Sequence, residues 1–411
     1  MEARKLFDGC VEIPIQGDMV QITLGLPTCN GVCLFSGVED KAVLLLTGAN
    51  LREMVRRRLA EDGDKEHHSR IRPVVERVWF RRCFSWFESR LAYFHIAAEV
   101  YPDSYEEFFP DLSVWFVHVD PSADYPFFVK TRRFESGTGL YWGPFADARS
   151  AGVCVDVLQD IFDLCRCREV LAHAPDATAC SYGQMNRCVC VCDGSVSVAQ
   201  YRENIDRAID FLNRPFPQGI EALHQKMKEL SESLQFEEAQ RLKKKVTEAK
   251  KLLSPAFRWI GRLEHFLVMA FQPGPPIKLP DSHRWQPSIS PFLIGPGWVD
   301  QIEPFPLADT VEGCKGLPDH LNLALLQDRF ALYGRSQQQL FAWIAHLLNY
   351  RRKNTRDRGL YLRLDRSLRD QRLGIRADKN QEIDTGMSTD VNILTDELAQ
   401  KVSDHFKWMN K

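Results

Sequence analysis

Six cysteines, Cys165, Cys167, Cys180, Cys188, Cys190 and Cys192, fall within 28 consecutive residues of a 411-residue chain that has twelve in all. A segment this rich in thiols has three ways to fold. Disulfides need an oxidising compartment and usually a small secreted domain. The opening residues, Met-Glu-Ala-Arg-Lys-Leu-Phe-Asp, carry acids and no apolar run, so no secretory signal is expected and the reading is a reducing, cytoplasmic one. Buried thiols packed as small hydrophobes are the second way. A metal or iron–sulfur site is the third, and the local density points there.

The rest of the chain sets few limits. Hydrophobic residues make up 44% and charged residues 26%, with a formal charge of −2. That composition excludes a largely disordered or collagen-like chain. No run approaches the roughly 18 apolar residues of a membrane span, so no membrane partner is expected. Bulk charge is silent on nucleic acid, and only local basic stretches speak to it. One such stretch runs from Arg351 to Lys379, with eleven basic residues against four acids. It opens with Arg351, Arg352 and Lys353 as candidate phosphate contacts.

Periodicity divides the chain. Val32 to Phe35 and Ala42 to Leu46 are apolar runs around the polar turn Gly37 to Lys41, which predicts a β-hairpin. A helix is expected from Asn50, its cap, to Leu59. A second runs from Trp86 to Val100, with Phe87, Leu91, Phe94 and Ala98 at helical spacing. Strands are expected at Val114–Val119 and Pro126–Thr131, followed by Arg132 and Arg133, a glycine turn, and Tyr141-Trp142-Gly143-Pro144-Phe145. A helix should span Ala151–Leu164. Three helices carry the chain from the cysteines to Leu253, a strand-like Phe266–Phe271 follows, and a long helix is expected to span Leu317–Tyr350.

The cysteine spacing is specific. Cys167, Cys180, Cys188 and Cys192 are separated by twelve, seven and three residues, with Phe162-Asp163-Leu164 before them and Tyr182 within. This pattern resembles the central region of the UvrC family, the C subunit of the bacterial excision-repair nuclease. The resemblance implies that these four hold a [4Fe–4S] cluster; Cys165 and Cys190, next to the matched cysteines in sequence, are candidate substitute ligands. Zinc on four sulfurs stays open, although its ligand pairs are usually two to four residues apart.

The resemblance extends both ways, over about Leu26 to Leu253. Downstream, Leu223, Met227, Leu230 and Leu234, then Phe236-Glu237-Glu238-Ala239 with Leu242 and Val246, resemble the UVR motif, a helical hairpin that implies docking of a UvrB-like helicase subunit. The expected contact residues are Met227, Leu230, Leu234, Phe236, Glu237, Ala239 and Leu242. Upstream, Gly31-Val32-Cys33 and Leu46-Thr47-Gly48 stand where the family's GIY-YIG nuclease triplets would. Asn50-Leu51-Arg52 follows, and the metal-binding glutamate maps to Glu88. Both signature tyrosines are missing, and Met54 occupies the place of the family's arginine, so Arg52 or Arg56 would have to replace it. Arg132 and Arg133 are candidate DNA contacts.

The expectation is therefore an α+β protein. A small degenerate GIY-YIG-like α/β domain occupies 26–107, a connecting α/β segment 108–164, the cysteine region 165–215, a UVR-like hairpin 219–253, and a separate C-terminal mixed domain 254–411, with its basic stretch at 351–379. The C-terminal part shows no paired aspartates of an RNase H-like site and no helix–hairpin–helix repeat. The function expected is UvrC-like DNA repair, binding DNA and a UvrB-like partner. The alternatives are an active Mg- or Mn-dependent endonuclease using Glu88, and a metal-bound regulatory adaptor.

Overall fold

The computed structural model describes residues 5–14, 18–60, 71–109, 112, 114–135, 137–279, 284–315, 317, 335–349, 359–366, 373–376 and 391–410. The N-terminal elements are β1 (Gly9–Glu12), α1 (Met19–Thr23), β2 (Gly31–Ser36), β3 (Ala42–Gly48), α2 (Leu51–Leu59), β4 (Arg77–Arg82) and α3 (Trp86–Val100). The strands form one sheet in the order β1-β4-β2-β3. The β2–β3 hairpin turns through Glu39 and Asp40, both at positive φ. Asn50 caps α2 by accepting from the Glu53 amide at 3.1 Å, and Ser85 caps α3 by accepting from Glu88.

The middle part contains β5 (Trp115–Val119), β6 (Val129–Thr131), β7 (Leu140–Phe145), α4 (Ala148–Phe162), the short α5 (Arg168–Leu171) and α6 (Ser181–Gln184), then α7 (Val198–Leu212), α8 (Phe216–Glu232), α9 (Phe236–Ala249) and β8 (Gly261–Arg262). Its sheet runs β6-β5-β7-β8. Gly143 lies over the Phe116 ring, where a Cβ would stand 2.7 Å from it, which accounts for glycine in the Tyr-Trp-Gly-Pro-Phe segment. One face of the sheet and α4 bury Trp142, Phe145, Leu158 and Tyr201 in a single core.

The C-terminal part adds β9 (Val268–Pro273), β10 (Ile277–Lys278), β11 (Trp285–Gln286), β12 (Ser288–Gly295), β13 (Trp298–Gln301), β14 (Phe305–Pro306), α10 (Thr310–Lys315), α11 (Arg335–Asn349), β15 (Leu360–Arg366), β16 (Leu373–Arg376) and α12 (Val391–Phe406). The path β13-β12-β9-β15-β16, with β14 on β12, makes a six-stranded sheet. Every described pairing in it is antiparallel. Of the expected long helix, Arg335–Asn349 is described and helical. Arg351, Arg352 and Lys353 lie outside the described residues, as does most of the basic stretch.

The mixed α and β character agrees with expectation, but α3 differs from its pattern. Leu91, Phe94 and Phe87 are buried as expected, while Ala98 is half-buried and Ala92, Ile96 and Ala97 are buried as well. A helix with one apolar stripe covers one neighbour, and α3 has two. One side meets β2 and β3, and the other meets the C-terminal sheet, where Phe87 lies 5.4 Å from Phe292 and 6.0 Å from Tyr361 in edge-to-face geometry. Helix α11 completes the contact. Phe341 stacks on Phe116, and the Trp343 indole N–H donates to the Arg90 carbonyl at 3.0 Å. The N-terminal helix, the middle sheet and the C-terminal sheet thus share one core. None of the described helices is long and apolar enough to cross a membrane.

Candidate thiolate site and nuclease-like surface

The cysteine loop begins where α4 ends. Asp163 adopts the left-handed conformation (φ 52°, ψ 40°) and caps the helix. Its carbonyl accepts from Val189, so the returning strand of the loop is sewn to the helix end. Asp160, one turn earlier, pairs with both Arg166 and Arg187, the latter at 2.8 Å. Those arginines immediately precede Cys167 and Cys188, so one carboxylate holds two of the expected ligand segments side by side. Arg166 also lies over the Tyr182 ring, with its guanidinium carbon 5.4 Å from the centroid.

The thiols meet in groups. Cys188 Sγ stands 3.9 Å from Cys190 Sγ. Cys165, buried behind them, shares a hydrogen bond with Cys188, and Cys167 shares one with Cys180. The bond from Cys165 draws the Cys188 thiol down, while the same bond and burial push Cys165 up. Cys192 lies within electrostatic reach of Cys180 and Cys188. All four cysteines of the matched spacing are thus brought into one neighbourhood. Among the described residues, no three His, Cys, Asp or Glu side chains stand in closed ligating geometry.

Two features of the loop fit an anionic thiolate-bound group. The Arg166 guanidinium favours the Cys188 thiolate, and its buried Nε has no hydrogen-bond partner among the described residues. At Gly183 an added Cβ would sit 2.3 Å from Cys190 Sγ and 3.9 Å from Cys188 Sγ, so the backbone is bare where the sulfurs approach it.

The hairpin of α8 and α9 leaves this region with its base anchored and its tip free. Val246 and Ala249 join the middle core, Leu223 and Leu242 pack against it, and Ala239 is buried. Met227 and Leu230 are half-buried, and Glu237 is exposed. At the tip Leu234 is 74% and Phe236 61% exposed, two large apolar side chains adjoining in solvent.

The nuclease-like triplets face each other across the β2–β3 ladder, with Gly31 opposite Gly48, Val32 opposite Thr47 and Cys33 opposite Leu46. Cys33 is wholly buried, and burial raises its thiol strongly, so it stays neutral. Arg52 donates to the Leu24 and Leu26 carbonyls, both at 2.9 Å, and so ties the loop after α1 to α2. Arg56 pairs with Glu53. Met54 packs on Gly48, putting a thioether where the family pattern has a guanidinium. The Glu88 carboxylate accepts from the Phe84 amide at 2.7 Å and reinforces the α3 cap. Burial raises its pKa above the ordinary carboxylate value, with Arg81 the charged group opposing that rise. Arg132 lies over Trp115 and Arg133 is exposed beside it.

Sequence reasoning missed Arg81, Asp160, Tyr201 and Lys245. Arg81, opposite Val32 in the sheet, lies within electrostatic reach of Glu88. The Tyr201 hydroxyl donates to the Pro126 carbonyl across 75 residues, and nothing local signals that.

Comparison with known proteins bears on the middle of the chain. Residues 114–211 match the family model of the UvrC/Cho excinuclease middle domain. The UvrABC system protein C of Ruminiclostridium cellulolyticum is 30% identical over 138 residues, 33% of this chain and 22% of that protein. The same-named proteins of Dictyoglomus thermophilum and Methanothermobacter thermautotrophicus are each 23% identical, over 229 and 231 residues, covering 56% of this chain and 38% of theirs. The chain spans about a fifth to two-fifths of the length of the curated relatives it matches. No solved structure matches it.

Proposed function

Because residues 114–211 match the UvrC/Cho excinuclease middle domain and the chain is similar to proteins named UvrABC system protein C, we propose that it is a UvrC-like protein that serves nucleotide excision repair by bringing a UvrB-like partner to DNA. The observation that carries this reading is the hairpin tip, where Leu234 and Phe236 stand exposed on a base fixed to the matched domain. An apolar pair held out on a rigid support suits a second helical hairpin of complementary shape. Phe236→Ser and Leu234→Ser are expected to weaken capture of a UvrB-like subunit by at least about tenfold, as loss of anchoring apolar residues does. Equal capture by wild type and both variants would remove the reading.

Cys167, Cys180, Cys188 and Cys192 would hold the [4Fe–4S] cluster. When bound, that cluster supplies a rigid four-thiolate crosslink and a one-electron centre. The chain's own residues prepare for it. Asp160 aligns the segments through Arg166 and Arg187, and Arg166 offsets thiolate charge. Arg132 and Arg133 are proposed to meet phosphate, with Arg351, Arg352 and Lys353 as further candidates.

In this reading the nuclease-like surface is a binding fold with little or no cleavage. Cys33 is buried and neutral, Arg52 holds carbonyls, Met54 replaces an arginine, and Glu88 caps a helix. The second reading is a Mg- or Mn-dependent endonuclease, favoured by a buried Glu88 carboxylate within electrostatic reach of Arg81. Incision of damaged duplex DNA, with either metal and with or without a UvrB-like subunit, separates the two. Cleavage that disappears in Glu88→Ala would establish the enzyme. DNA and partner binding without cleavage would establish the scaffold.

A further inference from the structure

Two thiols of the loop lie outside the four-cysteine spacing, and they are built differently. Cys165 is 4% exposed and shares a hydrogen bond with Cys188 from the buried side of the loop. Cys190 lies between Cys188 and Cys192 at the front of the loop, half-buried, with its sulfur 3.9 Å from that of Cys188.

We propose that Cys190 is a reserve ligand sharing the position of Cys188, so that a cluster bound here keeps four thiolates when Cys188 is lost. This rests on the reading above that the loop holds an iron–sulfur cluster.

The distance between the sulfurs carries the argument. Thiolates bound to different irons of a four-iron cube are held apart by the width of the cube. Two sulfurs 3.9 Å apart are too close to serve two corners, yet each is placed to reach the same one. The backbone is arranged to keep them together. Cys190 sits at φ 55°, ψ 43°, a left-handed conformation that is unfavourable for a residue with a Cβ. Gly183 leaves the space its sulfur fills, because any Cβ there would stand 2.3 Å from it. The segment that follows is closed by a short 3-10 turn at Val191–Asp193 and by Gly194, also at positive φ. Exchange of ligand therefore asks for side-chain rotation at Cys190 within a fixed loop. As a ligand, Cys190 would lose its thiol proton to solvent and would take the place at iron that Cys188 would otherwise hold.

The test uses the full chain, loaded anaerobically with ferrous iron and sulfide. It reads iron and acid-labile sulfide per chain together with the visible and electron paramagnetic resonance spectra. Cys188→Ala is expected to keep at least about half of the wild-type iron, with an altered spectrum because a different thiolate ligates. Cys180→Ala and the Cys188→Ala/Cys190→Ala double variant are expected to keep less than about a tenth. Cys190→Ala alone should load as wild type does. Circular dichroism checks that each variant folds, and Cys188→Val stands in where Cys188→Ala does not. A folded Cys188 variant as empty as Cys180→Ala overturns the proposal, and so does a double variant that loads as well as the single one. A wild type that takes up no iron removes the cluster reading itself, whereas a loaded wild type with an empty Cys188 variant removes the reserve role alone.

Discussion

The Lys245 ammonium lies 2.7 Å from the Asp163 carboxylate, and it also donates to the Ile161 carbonyl at 3.0 Å. This one side chain ties α9 of the hairpin to the C-terminal end of α4. Asp163 holds the cysteine loop through its carbonyl and the hairpin through its carboxylate. The expected metal loop and the expected partner-docking element therefore share an anchor.

Lys245→Met should cost about 0.5–1.5 kcal/mol in chemical denaturation, the net value of a partly exposed charged hydrogen bond. Partner capture by the tip should fall little, because Leu234 and Phe236 remain. A change below the error of the measurement would mean that the apolar contacts of Val246 and Ala249 hold the hairpin alone.

Tyr201→Phe removes the hydroxyl that donates to the Pro126 carbonyl at 2.8 Å in a wholly buried position. An orphaned buried acceptor costs about 1–3 kcal/mol. The unfolding midpoint in urea should fall with an unchanged denaturant slope.

Gly183→Ala tests the cradle. In an open helix the change usually gains up to about 1 kcal/mol. Here the new methyl would meet Cys190 Sγ at 2.3 Å, and overpacking of this kind costs about 1–3 kcal/mol. A loss of stability is the expected sign, and a gain would show that Cys190 turns out of the loop at no cost.

Phe341→Ala should cost about 3–5 kcal/mol. The ring is fully buried, stacked on Phe116 of the middle sheet and edge-on to Phe266. Limited proteolysis should then cut between the middle and C-terminal parts first.

Glu88 predicts a pH dependence of defined sign. Burial raises its folded pKa above the ordinary 4.5, so the folded state binds its proton more tightly than the unfolded chain does. Its contribution to stability is present below about 4.5 and is lost as pH rises from there through the raised folded value. Glu88→Gln keeps an oxygen for the Phe84 amide and removes the titration. Stability of wild type relative to this variant should therefore fall as pH climbs through that window, measured by denaturation at a series of pH values.

Local signals in the sequence reached far into the fold. Asn50 and Ser85 announced the starts of α2 and α3, and the apolar runs on either side of Gly37 to Lys41 announced the β2–β3 hairpin. The spacing of Cys167, Cys180, Cys188 and Cys192 marked the thiolate loop, and the leucine steps before Phe236 marked the two hairpin helices. These features are encoded within a few residues of themselves, by capping, periodicity and turn chemistry. Tertiary structure decided the rest. The pairing of Asp160 with Arg187 spans 27 residues, that of Lys245 with Asp163 spans 82, and the bond from Trp343 to Arg90 spans 253. No local pattern carries such partners, because each is chosen by the packing that brings distant segments together. The burial of α3 on two sides and the meeting of Cys188 with Cys190 through a left-handed backbone belong to the same class. They depend on which surfaces the folded chain leaves to be covered, and on where a missing Cβ leaves room.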